Sequence, residues 1–423
     1  MLRVVARSEV AKLAPAAAVE RGGWGFIVLY AAAYTGVWLA LLTPVMVTLA
    51  LRVQELAPEE AAHRLSLVLA IGAVFALIGN PLFGRLSDGT ASRWGMRRPW
   101  LIGGTLVGFA SLAFIAVAPS VGWVLVGWCV AQLGYNAALA PLAALLPDQV
   151  PLAKRGTVAG IVGICTCLGQ TGGTYLANAV SGSMLAMFLV PAAVGGAAVL
   201  LLAFVLEDRR VERAEAPRFE WRELVGTFWV KLAGHGDFGW ICTGRFFLMM
   251  AMAFFLAYQP FYLMSELGFT AAQLPSIVFQ STAVQTLTSI GASLLAGRLS
   301  DLIGRRKPFV IGAALTYAAG AALIAMADSY ALFLGGMAIS GIGLGAYLGV
   351  DFALATDALP NRERDAAKDL GLFNVASTLP QVIAPALALR ILALTHENYP
   401  GVFVAACIVA LLSAAAIVPV RVR

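Results

Sequence analysis

The chain has 423 residues, of which 60% are hydrophobic and only 12% charged, and its mean hydropathy is +0.84. So much apolar surface exceeds what a water-soluble protein hides, which excludes a soluble enzyme or binding module and makes lipid the solvent for most of the chain. The formal net charge of +6 does not point to nucleic acid either, because the cations lie in the gaps between apolar runs rather than in one patch.

An N-terminal tail, residues 1–24, carries Arg3, Arg7, Lys12 and Arg21 without a cleavage-site pattern, so the first span is expected to direct its own insertion. A spanning helix needs about 20 apolar residues. The first six such runs lie near Gly25–Leu51, Leu65–Leu86, Pro99–Ala118, Gly122–Leu146, Gly156–Val180 and Ser183–Leu206, and define one bundle over residues 25–206. The polar stretch 207–239 mixes Glu207, Asp208, Glu212 and Glu215 with arginines and then turns aromatic at Phe219, Trp221, Phe228 and Trp229. It reads as a solvated linker followed by an interfacial segment, with Asp237 placed to cap the seventh helix.

Six further runs follow near Trp240–Ser265, Gln273–Leu299, Pro308–Ala327, Tyr330–Thr356, Asp369–Leu394 and Gly401–Val420. They define a second bundle over 240–420, before a short tail, 421–423. The expected fold is therefore an all-α membrane protein of twelve transmembrane helices in two six-helix bundles. Lys and Arg crowd the tails and the even-numbered gaps, as at Arg93, Arg97 and Arg98, at Lys154 and Arg155, and at Arg305, Arg306 and Lys307. Only Arg52, Arg64 and Arg390 lie at the other face. The positive-inside rule then puts both termini in the cytoplasm and the chain in the plasma membrane.

Cys129, Cys165, Cys167, Cys242 and Cys407 all fall within apolar runs and read as small packing residues. His63, His235 and His396 fall in predicted loops, no metal-ligand cluster is apparent, and no Gly-Lys dipeptide exists to build an ATP-binding loop. No cofactor and no enzymatic chemistry are implied.

The most specific signal is a duplicated loop. Gly84-Arg85-Leu86-Ser87-Asp88 recurs as Gly297-Arg298-Leu299-Ser300-Asp301, and each copy runs into a basic turn, Gly95-Met96-Arg97-Arg98-Pro99 and Gly304-Arg305-Arg306-Lys307-Pro308. Asp148 and Arg155 match Asp357 and Arg364, and Leu168-Gly169-Gln170 matches Leu379-Pro380-Gln381. Two matches in register imply duplication of a six-helix unit.

This loop, present in both halves, resembles the signature of the major facilitator superfamily. The longer first copy, Arg93-Trp94-Gly95-Met96-Arg97-Arg98-Pro99, and the segment Tyr347-Leu348-Gly349-Val350-Asp351 resemble the branch of sucrose/proton and glycoside/cation symporters. The resemblance implies two bundles rocking about a central cavity lined by the first, fourth, seventh and tenth helices. It also implies a cytoplasmic latch at Gly84, Asp88, Arg97, Arg98, Gly297, Asp301, Arg305 and Arg306. The same residues also suit a purely structural role, holding helix ends and turns in place.

A charge within a span is costly, so an acid there is a functional candidate by default. Asp351 is the clear case, about 9 Å into the tenth helix at 1.5 Å per residue. Two roles suit it: a proton-coupling acid, or the structural partner of a cation such as Arg245. The matching position in the first half is the apolar Leu142. Neutral polar residues recur at helical spacing, as in Gln132 and Asn136, in Gln170, in Gln285, and in Asn374 and Gln381. They either cement helix contacts or, with Tyr34, Trp38, Tyr135, Tyr258 and Tyr347, line a substrate cavity suited to a sugar ring or an amphipathic drug.

Proton- or cation-coupled uptake of a sugar or glycoside by a monomeric carrier is the expected function. The alternative is efflux of amphipathic small molecules by proton antiport. The glycines Gly160, Gly169, Gly172 and Gly173 of the fifth helix partly resemble the antiporter motif, but Gln170 stands where that motif has proline.

Overall fold

The computed structural model describes residues 23–210, 236–358, 366–395 and 398–421. The aromatic part of the central loop, most of the N-terminal tail, His235, His396 and Arg364 lie outside these residues. Among the described residues there are twelve long helices: α1 (Trp24–Leu56), α2 (Ala61–Asp88), α3 (Arg98–Val117), α4 (Val121–Gln149), α5 (Leu152–Ala179) and α6 (Met184–Val205) in the first half, and in the second α7 (Gly236–Ser265), α8 (Leu274–Ile303), α9 (Lys307–Ala325), α10 (Tyr330–Asp357), α11 (Ala366–Leu394) and α12 (Pro400–Ile417). Ten of them are long and apolar enough to cross a membrane. The two that fall short, α5 and α8, are rich in Gly, Ser, Thr and Gln and pack against each other between the halves.

The halves repeat the same packing. In the first, α4 packs against α2 and α3 while α1 packs against α5 and α6; in the second, α10 packs against α8 and α9 while α7 packs against α11 and α12. Small residues permit the closest approaches. A Cβ on Gly36 of α1 would stand 2.5 Å from the Gly195 carbonyl oxygen of α6, and one on Gly345 of α10 would stand 1.9 Å from the Ser289 carbonyl oxygen of α8.

Helix ends follow the expected gaps to within a few residues, with three corrections. α2 starts at Ala61, so His63 lies in its first turn rather than in a loop; the Arg64–Glu60 ion pair at 2.7 Å supports this early start. Asp237 lies inside the first turn of α7 rather than before it, and its Oδ2 accepts from the Arg421 amide at 2.9 Å. Pro44 supplies no N–H to the α1 ladder, and the helix widens into a π-turn over Pro44–Thr48, in which the Leu49 amide reaches back to the Pro44 carbonyl.

Contacts tie the two halves together at the ends of the helices away from the duplicated loops. Ser66, near the start of α2, shares a short hydrogen bond with Tyr258 near the end of α7, and the Tyr258 hydroxyl also reaches the Pro385 carbonyl of α11 at 3.3 Å. Thr171 of α5 donates to Thr286 of α8 at 2.7 Å, and the tilted rings of Tyr175 and Phe279 meet beyond them with centroids 5.3 Å apart.

Candidate functional site

A cavity of about 80 Å³ lies between the halves. Its walls are mostly apolar: Val45 of α1, Leu69 and Ala73 of α2, and Met249, Met252 and Leu256 of α7 all face it. Trp128 and Gln132 of α4, and Ser377, Gln381 and Pro385 of α11, complete it. The helices α1, α4 and α7 line the space as the resemblance implied, but α2 and α11 take part in place of α10.

The one buried carboxylate among the described residues stands just behind this wall. Asp351 is fully buried on α10 and pairs through Oδ2 with the Arg245 guanidinium of α7. Arg245 also donates from Nε to Ser377 Oγ at 2.5 Å and lies over the Phe373 ring at 4.0 Å, so Ser377 joins the ion pair to the cavity. Asp351 Oδ1 makes no well-formed hydrogen bond. Tyr347, one turn earlier on α10, interacts with both Asp351 and Ser413 of α12, yet its hydroxyl and Ser413 Oγ also fall short of a well-formed bond. Two opposite charges held in a low-dielectric site form an arrangement whose net charge a single proton on the carboxylate would change.

Of the expected cavity residues, only Gln132 and Gln381 line the space. Tyr135 is buried against Gly108 of α3, and Asn136 accepts from Asn80 of α2 at 3.3 Å while donating to the Gln132 carbonyl at 2.8 Å. Gln285 donates to Ser340 of α10 at 3.3 Å. Gln170 and Tyr347 are buried, Tyr34 packs on Tyr30, and Trp38 packs beside Gly169 of α5. Tyr258 belongs to the contact that closes the far end, and Asn374 is exposed on α11. Most of these polar side chains therefore join helix to helix, which offsets the cost of burying them.

The duplicated loops form two matching ion clusters, each within one bundle. Arg97 is 5% exposed and meets Asp88 at 2.5 Å, Asp148 at 3.1 Å and Ser87 Oγ at 2.5 Å. Arg306 meets Asp301 at 3.6 Å and Asp357 at 3.1 Å. Gly84 faces Ala140 of α4 and Gly297 faces Gly349 of α10, so each loop glycine sits at the same helix crossing. Arg98 donates to the Leu206 carbonyl at the end of α6, and Lys307 donates to the Val418 and Val420 carbonyls past α12, at 2.7 Å each. Lys307, not the exposed Arg305, is thus the counterpart of Arg98.

Sequence reasoning missed Asp208. Its Oδ2 accepts from the Arg97 and Arg98 amides at 2.6 and 2.7 Å, capping α3 from the far end of the bundle. Burial pushes its carboxyl up, against the pull of those two amides and of the neighbouring guanidinium groups. Nothing in the local pattern Glu207-Asp208-Arg209-Arg210 marks one acid of a charged linker as a cap.

A model of the Major Facilitator Superfamily matches residues 23–284 and 276–423. Among curated proteins, the chain is similar to the multidrug resistance protein MdtL of Klebsiella pneumoniae (strain 342), 38% identical over 122 residues that make up 29% of each chain. It is also similar to the MdtL protein of Shewanella sp. (strain ANA-3), 34% identical over 148 residues that make up 35% of each. The matched segments thus span about a third of the length of these relatives. Among solved structures, a bacterial homolog of the human lysosomal transporter Spinster, inward-facing and unoccupied, superposes with a TM-score of 0.62 at 16% identity, covering 93% of this chain and 94% of that one. The human organic anion transporter MFSD10 superposes with a TM-score of 0.63 at 15% identity, covering 92% and 98%. These structural likenesses carry the fold.

Proposed function

We propose that this chain, which belongs to the major facilitator superfamily and is a multi-pass membrane transporter of small molecules, exports an amphipathic cation in exchange for protons. The observation that carries this reading is the ion pair Arg245–Asp351 set behind a largely apolar cavity and joined to it through Ser377. Met249, Met252, Leu256 and Trp128 offer polarizable and aromatic surface to a greasy ring system. A sugar would need most of its hydroxyls paired, and the cavity supplies only Gln132, Gln381 and Ser377 for that work.

The sign of coupling follows from charge. With Asp351 ionised, Arg245 is neutralised and a cation meets no net positive charge behind the wall. Protonation of Oδ1 removes the negative member and leaves the guanidinium uncompensated, which repels a cation. Proton and cation then exclude each other, and mutually exclusive binding is the condition for exchange. An anionic solute would reverse the sign and give symport. At about 80 Å³ the cavity is smaller than the ~300 Å³ typical of ligand pockets, so loading requires the bundles to part at one end. The similarity of separate segments to multidrug resistance proteins supports the same reading.

Proteoliposomes with an imposed pH gradient test it, using labelled lipophilic cations, amphipathic anions and sugars. Cation movement opposite to the proton flux, abolished by a protonophore, is expected. Saturable sugar uptake driven by the gradient, with no cation movement, overturns the proposal and restores the sugar reading. Proton-driven uptake of an anion overturns the exchange sign while leaving the ion pair its role.

A further inference from the structure

The two halves differ sharply at one matched place. In the first, the amino end of α3 is covered by Asp208: a Cβ on Gly95, at φ +104°, would stand 2.4 Å from the Asp208 carboxylate carbon. In the second, Gly304 takes the matching positive φ of +67°, yet a Cβ there would meet nothing within 4 Å. Counting from the carbonyls that receive Arg98 and Lys307, Leu206 matches Val418, so the position of Asp208 is taken by the apolar Val420. Arg306, the residue before α9, puts no side-chain cap of its own on the helix. What stands there is a cavity of about 480 Å³ whose lining among the described residues includes Arg305, Lys307 and Arg421 and no acid, with Asp237 reaching the Arg421 amide.

We propose that this cavity binds the phosphate of an anionic membrane lipid, which takes the place that the Asp208 carboxylate holds in the first half. The ligand chemistry follows from the charges: three cations beside a helix amino end favour a compact dianion or monoanion. Lys307 Nζ spends two of its three protons on the Val418 and Val420 carbonyls and keeps one for a ligand. The rim selects a lipid over a free ion. Val418, which lines the cavity, is 60% exposed, and Leu302 and Ile303, immediately before the Gly304 turn, are 83% and 58% exposed. Apolar side chains this open at a helix end offer acyl chains a landing surface beside the headgroup site. Basic clusters at the membrane boundary recruit anionic headgroups.

The test uses the purified full chain in detergent, titrated with phosphatidylglycerol, phosphatidylcholine or inorganic phosphate. Retained lipid is read by native mass spectrometry and melting by tryptophan fluorescence. Phosphatidylglycerol should be retained in preference to phosphatidylcholine and should raise the melting temperature. The Arg305→Gln/Arg421→Gln variant, altered at two exposed side chains, should melt as the parent does without lipid and retain about thirtyfold less phosphatidylglycerol, as loss of two headgroup contacts implies. Val420→Asp, which supplies the carboxylate of the first half, should lose the preference as well. Equal retention by the double variant, or no preference for phosphatidylglycerol over phosphatidylcholine, overturns the proposal. An equal melting shift from inorganic phosphate assigns the site to a free anion and overturns the lipid.

Discussion

Replacing Asp351 by Asn removes the negative charge from the Arg245 pair while keeping the shape of the side chain. Asp351 is fully buried and the Arg245 side chain is 16% exposed, so the guanidinium left behind has little access to water. Breaking a buried pair in this way costs about 3–5 kcal/mol. Ser377, at 2.5 Å, and the Phe373 face, at 4.0 Å, still hold Arg245 and return part of that, a cation over a ring being worth about 0.5–2 kcal/mol. A net loss of roughly 3 kcal/mol is expected for Asp351→Asn. In Asp351→Asn/Arg245→Gln both charges are gone, and the variant should be more stable than the sum of its single changes by roughly 2 kcal/mol. Unfolding in detergent measures the stability cycle, and proteoliposome flux measures function. Asp351→Asn should abolish accumulation driven by a pH gradient, because an amide takes up no proton, and should also weaken counterflow of the cation, because it leaves the Arg245 guanidinium uncompensated as protonation does. Additive single changes would refute the pairing energetics, and undiminished concentrative transport would refute Asp351 as the proton site.

Tyr258→Phe removes the hydroxyl that joins Ser66 to Pro385, and a loss of about 0.6–2 kcal/mol at this contact should raise the accessibility of cysteines placed near Ser66 to an impermeant thiol reagent. Gly345→Ala drives a Cβ into the Ser289 carbonyl and should cost about 1–3 kcal/mol in thermal unfolding, unless α8 and α10 part without penalty. Arg97→Ala, at a residue 5% exposed with two carboxylates, should cost roughly 3 kcal/mol, whereas Arg306→Ala, at 25% exposure, should cost roughly 1 kcal/mol; equal losses would contradict the difference in burial. Asp208→Asn leaves the α3 amides a weaker acceptor and should lower stability by about 1 kcal/mol, measured by the same melt.

The twelve helices and their pairing into halves were legible because lipid demands long apolar runs and the duplicated loop repeats its charges almost residue for residue. Arg245 beside Asp351 was legible too, since a buried acid needs a cation and few cations lie within spans. The cavity was not. A helix in lipid is apolar on the side that meets neighbours and on the side that meets acyl chains, so its sequence carries little contrast between inward and outward. Tyr135, Asn136 and Gln285 accordingly meet adjoining helices. The sugar-transport branch suggested by Arg93–Pro99 and Tyr347–Asp351 gains no support from the cavity or from the relatives. The role of Asp208 depends on where the end of α6 folds back, and no local pattern encodes that return, whereas the pairing of Lys307 with Arg98 is already present in the register of the two basic turns.

The polar character of α5 and α8 bears on how the chain enters the membrane. A segment is handed from the translocon to lipid by its own hydrophobicity, and Thr171, Gln170, Ser281, Gln285 and Thr286 weaken that signal in these two helices. Each is flanked by a strongly apolar neighbour, α4 and α6 on one side of the repeat and α7 and α9 on the other. Biogenesis therefore depends on delivering α5 and α8 as members of hairpins, and the mutual contact of Thr171 with Thr286 forms only after both halves have been made. The seam between the bundles is the last part of the protein to be sealed from lipid during synthesis.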